Sequence, residues 1–172
     1  MITPQYVRAF SAYNAEMNRR VYAAAGRLSD EDRKLDRGAF FGSIHRTFNH
    51  LIWADTMWMS RFADWTPPER RSDGRTDTMF DDFTEMQARR VEMDSAIQAW
   101  AADLNGEWLG GDLKWFSGIA QKEITAPRVV AVVHMFNHQT HHRGQAHALL
   151  TAAGEDTGAT DFAAVLPPSA FD

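Results

Sequence analysis

Hydrophobic residues recur at three- and four-residue intervals through four long segments of this chain, the spacing of amphipathic helices. The first segment opens at Thr3-Pro4, a capping residue followed by proline at the first helical position, and stops at Gly26. That predicts a helix over about residues 4–25. In the second, Ile44, Phe48, Leu51, Ile52, Met59 and Phe62 fall on one apolar stripe, which predicts a helix from Ser43 to Ala63. A third runs from a cap at Asp77 or Thr78 to Leu104, and a fourth from Thr125-Ala126-Pro127 to Gly154.

The connections have their own signals. Ser29-Asp30-Glu31-Asp32 supports one short turn of helix. The stretch 64–77 carries Pro67-Pro68, Gly74, Arg70, Arg71 and Arg75 and predicts an exposed loop. Glu107-Trp108-Leu109 and Asp112-Leu113-Lys114-Trp115-Phe116 flank Gly110-Gly111, a two-residue glycine loop that signals a β-hairpin. The tail from Glu155 to Asp172, with Pro167-Pro168, is expected to wrap the bundle without regular structure. The expected fold is all-α: a four-helix bundle in one domain over residues 1–172, with a short β-hairpin between helices three and four. Val129, Val130, Val132, Val133 and Phe136 make the start of helix four apolar on several sides. A helix buried on more than one face predicts contact with a second subunit and so a homodimer.

Composition narrows the function. With 44% hydrophobic and 12% aromatic residues, the chain is folded rather than disordered. A formal charge of −5 lacks the basic footprint that nucleic acid requires. No run approaches the ~18 apolar residues of a membrane span. Met1-Ile2-Thr3-Pro4-Gln5-Tyr6 lacks the charged and apolar regions of a secretory signal, so the expected location is the cytoplasm. The absence of cysteine removes disulfides, thiolate nucleophiles and Cys-type zinc sites. Any transition metal must then be held by histidine and carboxylate.

Four of the seven histidines, His134, His138, His141 and His142, fall within nine residues of the fourth helix. Positions four apart share a face, so His138 pairs with either His142 or His134. His134 and His142 lie about 12 Å apart along the axis, too far to share one ion directly. Met135, His138, His142, Gln145 and Leu149 form one narrow stripe, expected to face the core. On the second helix Ser43, Thr47, His50 and Ala54 form a stripe of small residues, which lets a facing helix approach His50 closely. Three neutral imidazoles with an open position suit Zn, Ni or Fe(II). The competing reading is of histidines that are merely hydrogen-bonded in the core or solvated, and it is preferred for His45, His134 and His147, with His134 the one competitor for a ligand role. His141, rotated about 100° from His142, is expected to cap an edge, line the pocket mouth or be solvated. Arg143 is either a solvated cation or an anion-binding group at the metal mouth. Gln145 is either a partner that orients an imidazole or an ordinary buried amide. Gly144 is expected to permit a close helix contact, and Trp53, Trp58, Trp100, Trp108 and Trp115 to line core or pocket.

Two motifs, Phe48-Asn49-His50-Leu51-Ile52-Trp53-Ala54-Asp55 and His134-Met135-Phe136-Asn137-His138-Gln139-Thr140-His141-His142-Arg143-Gly144-Gln145, give nearly the whole chain a resemblance to the DinB/YfiT-like metalloenzyme family. The resemblance implies a four-helix bundle, often dimeric, that binds a divalent metal through His50, His138 and His142, and it decides against His134. It also implies kinship with transferases and isomerases that use low-molecular-weight thiols. The chain has no obvious Ser, Cys or paired-carboxylate catalytic set. The expected function is therefore a metal-dependent transferase, isomerase or hydrolase acting on a small electrophilic substrate, with a metal-bound water or thiol as the nucleophile. The rival is a non-enzymatic metal-binding module in stress response or protein interaction.

Overall fold

A computed structural model of the chain describes residues 2–69, 71–118 and 120–171. Its elements, in order, are α1 (Pro4–Gly26), α2 (Asp30–Lys34), α3 (Ile44–Phe62), α4 (Phe83–Asp103), α5 (Gly106–Leu109), β1 (Asp112–Ser117), β2 (Lys122–Pro127), α6 (Arg128–Ala152), α7 (Phe162–Val165) and a closing 3₁₀ turn (Pro168–Phe171). The four long helices close a ring: α1 packs on α4 and α6, and α3 packs on α6 and α4. This is the expected bundle.

Caps set the helix starts. Thr3 accepts from the Tyr6 amide and Ser43 from the Arg46 amide, each satisfying a donor left free by the first turn. The start of α4 differs from the sequence expectation. Asp82, not Asp77 or Thr78, is the cap, accepting from the Glu85 amide at 2.8 Å. Asp77 is instead taken up by Arg46 and Arg75, so its carboxylate serves an ion cluster rather than a helix end.

The hairpin also lies elsewhere than predicted. Gly110 and Gly111 do not turn it: Asn105 caps a single helical turn, α5, over the first aromatic run. The strands are β1 and β2, antiparallel, with Leu113 opposite Ala126 and Trp115 opposite Ile124. Gly111 leaves room for a close approach rather than making a turn. A Cβ there would lie 3.0 Å from Arg128 Nη1, whose guanidinium stacks over Trp108 and donates to the Trp108 carbonyl at 3.1 Å. Thr125 belongs to β2, and α6 starts after Pro127 with no side-chain cap. The tail is more ordered than expected, with α7 and the 3₁₀ turn packing on α1.

The core has two large apolar clusters, one around Tyr22, Phe48, Met86 and Leu150 and one around Val7, Met59, Ile97 and Phe136, and a small third of Tyr13, Met17 and Leu166 where the tail meets α1. Between the two large clusters every long helix contributes polar side chains: Asn14 and Asn18 from α1, Asp55 from α3, Arg90 and Asp94 from α4, Gln139 and Arg143 from α6. Arg90 is the hub, 2.6 Å from Asp55 and 2.8 Å from Asp94, and Asn18 donates to Asp94 at 2.9 Å. Buried charges of this kind persist only when paired and hydrogen-bonded. All six residues of the predicted α3 stripe are buried. The apolar start of α6 is covered partly by the hairpin and α5, which accounts for its breadth, while Val130 stays 45% exposed.

Candidate metal centre

His50 on α3 faces His138 and His142 on α6, where the two helices pack together. His142 is buried, and His50 and His138 are half-buried. One ligand nitrogen from each ring lies within 4.8 Å of the other two. His50 Nε2 and His138 Nε2 are 3.2 Å apart, close to the ~3.4 Å edge of a tetrahedron built from zinc–nitrogen bonds of about 2.1 Å. Ring centroids separate by 4.7 Å for His50 and His142 and by 4.4 Å for His138 and His142.

Two of the rings are oriented from behind. His142 Nδ1 donates to Gln145 Oε1 at 2.7 Å, and Gln145 Nε2 donates to His141 Nε2 at 3.3 Å. Gln145 thus orients an imidazole, the first of the two readings given to it. His50 Nδ1 lies 2.8 Å from Thr76 Oγ1. Among the described residues, His138 Nδ1 is buried without a hydrogen-bond partner. Phe41 stacks on His50 at 4.1 Å and lies 5.3 Å from His142, so one side of the cluster is roofed by an aromatic ring.

Electrostatics favours neutral rings. Burial, then the neighbouring His142 and His138, lowers the His50 pKa to about 3. Burial, then His142, lowers His138 to about 4. Burial also lowers His142, partly offset by its bond to Gln145. Metal binding requires deprotonated ligands, and at neutral pH these rings are in that form. The donor set therefore fits a borderline divalent ion.

The other residues fall as follows. His134 is exposed, 5.9 Å from His138 and 5.0 Å from Trp58 by ring centroid, and is not part of the cluster. His141 sits at the rim, exposed, 4.8 Å from the His142 ring. His45 donates to the Phe80 carbonyl at 2.8 Å, and His147 bonds Thr157; both act structurally. Arg143 is not the solvated cation of the first reading. It is buried, donates to Asn14 Oδ1, and lies over the Tyr13 ring, with burial lowering its pKa to about 10. Among the described residues Gly144 makes no close helix contact, since a Cβ there would meet nothing within 4 Å. Trp58, Trp100, Trp108 and Trp115 pack on the second apolar cluster, and Trp53 flanks His50 at 6.4 Å.

Sequence reasoning missed Thr76 and Phe41. Both lie in connections, where no periodicity marks which side chain turns inward. Most described residues of the loop 64–77 are exposed, as expected, but the segment Thr76 to Phe80 forms a strap fastened to α3.

The DinB family model matches residues 1–168. This chain belongs to the DinB family. A crystal structure of a DinB-like protein from Bacillus cereus superposes with a TM-score of 0.60 at 16% identity, covering 83% of this chain and 89% of that one, which shows a shared fold. Comparison with curated proteins finds no match. Among the described residues, no helix is long and apolar enough to cross a membrane.

Proposed function

We propose that this DinB family protein is a metal-dependent enzyme whose divalent ion, Zn, Ni or Fe(II), is held by His50, His138 and His142. The supporting observation is the convergence of three ligand nitrogens, carried by rings that are neutral at pH 7, from two facing helices. An ion so held supplies Lewis acidity toward a water, a low-molecular-weight thiol or a carbonyl placed against it. Three protein ligands leave a coordination position for such a group, the arrangement that separates catalytic from structural zinc sites.

The chain's own residues hold and orient. Gln145 fixes the His142 ring with Nε2 turned inward, and Phe41 limits water access on the His50 side. The substrate is a small electrophile, and the reaction is a thiol-dependent transfer or isomerisation, or a hydrolysis. The protein acts as a single cytoplasmic domain without nucleic acid or membrane, and as a homodimer that uses the exposed Val130 side of α6. Zinc-, nickel- and iron-loaded protein would be screened against thiol conjugation, isomerisation and hydrolysis substrates. At least one activity should appear and vanish in His138→Ala. Activities absent throughout, or unchanged by that substitution, would overturn the enzymatic reading.

A further inference from the structure

The connection between α3 and α4 is fastened along one face of α3. His45 donates to the Phe80 carbonyl at 2.8 Å. Asn49 makes a two-point pairing with the same residue, donating to its carbonyl at 3.0 Å and accepting from its amide at 2.7 Å. Arg46 ion-pairs with Asp77, which is 3% exposed and also takes Arg75 Nε at 3.1 Å. His50 completes the series with Thr76. Residues 45, 46, 49 and 50 follow the i, i+1, i+4, i+5 spacing of one helix face, so this strap has a fixed register against the helix.

That register has a chemical consequence at His50. Its Nε2 faces His138 across 3.2 Å, so Nε2 is the atom available to a metal. A histidine that ligates through Nε2 must carry its proton on Nδ1, and that proton needs an acceptor. A hydroxyl oxygen can accept as well as donate, and Thr76 Oγ1 is the atom in place.

We propose that Thr76 is a positioning residue for the metal centre: its hydroxyl accepts the His50 Nδ1 proton, holding the ring in the tautomer and orientation that present Nε2 to the ion. Asp77, Arg46 and Asn49 keep Thr76 at that distance. This rests on the metal reading above. It makes the strap a working part of the site rather than a connection.

The test compares zinc affinity, measured by competition with a chromogenic chelator, for wild type, Thr76→Val and Thr76→Ser. Val keeps the branched shape and removes the hydroxyl, whereas Ser keeps the hydroxyl. The expected result is affinity weakened about 10- to 100-fold in the Val variant and restored to within roughly threefold by Ser, with the melting temperatures of the three metal-free proteins unchanged. Wild-type zinc binding matched by the Val variant would overturn this proposal alone. So would a loss that Ser shares, or a Val variant whose metal-free melting temperature falls in step with its affinity. Wild type that binds no metal would overturn the metal reading itself, and this proposal with it.

Discussion

Arg90 should be the most costly single charge to remove from this protein. In Arg90→Met the side chain stays long but becomes apolar, and Asp55 and Asp94 lose the cation between them. Each contact, at 2.6 and 2.8 Å, is worth about 6 kcal/mol by Coulomb's law at an effective dielectric near 20. The guanidinium no longer has to be desolvated, which returns several kcal/mol. Breaking a buried pair on one side leaves a net loss of about 3–5 kcal/mol, or roughly 6–20 °C in melting temperature for a chain of this size. Urea denaturation at pH 7 with a two-state fit measures it.

A pH signature accompanies the loss. Burial already holds the Asp94 carboxyl above its usual range, and without Arg90 it rises further. A carboxyl raised above its unfolded value is stabilised below that value and destabilised as pH rises through it. The deficit of Arg90→Met should therefore be largest at neutral pH and shrink toward pH 4. Asp55→Leu/Arg90→Met/Asp94→Leu, which removes all three charges together, should sit within about 2 kcal/mol of wild type. A loss under about 1 kcal/mol in the single variant, or a deficit that grows on acidification, would refute the reasoning.

Three further outcomes follow from the site and α6. The metal-free protein should lose stability as pH falls below about 6.5: His50 and His138 sit near 3 and 4 when folded, so the unfolded chain takes up protons first. Urea midpoints at pH 7.5 and 5 would show it, and a flat profile would contradict the neutral-ring assignment. Zinc at about a hundred times its Kd should add about 2.7 kcal/mol, seen as a thermal shift that His134→Ala keeps and His142→Ala loses. Gly144→Ala should raise stability by about 0.8–1 kcal/mol, since the added methyl meets no neighbour; a destabilised variant would mean that another surface covers that position.

Where hydrophobic period and caps agreed, the sequence was legible. The α3 stripe from Ile44 to Phe62 and the Thr3-Pro4 start signal predicted helices that the structure places within a residue or two. Legibility failed where one residue type serves two purposes. Asp77 has the chemistry of a cap but is spent on Arg46 and Arg75, and Gly110-Gly111 has the composition of a hairpin turn but closes α5 and clears Arg128. At the site, i,i+4 spacing brought out His138 and His142, and the small neighbours of His50 pointed across the groove. Arg143 shows the limit of that reasoning. A long cation on a half-apolar helix looks solvated until Asn14, a distant residue, is found beside it. Thr76 could be placed only by the fold, because its role depends on a strap whose register is set by side chains of another element.

The central claim is tested most directly by counting metal. Protein purified without a histidine tag and analysed by elemental and native mass spectrometry should carry one divalent ion per chain, and His50→Ala, His138→Ala and His142→Ala should each lose it while remaining folded. A wild-type chain that takes up no ion from excess Zn, Ni or Fe(II), or an ion retained in all three variants, would contradict the account.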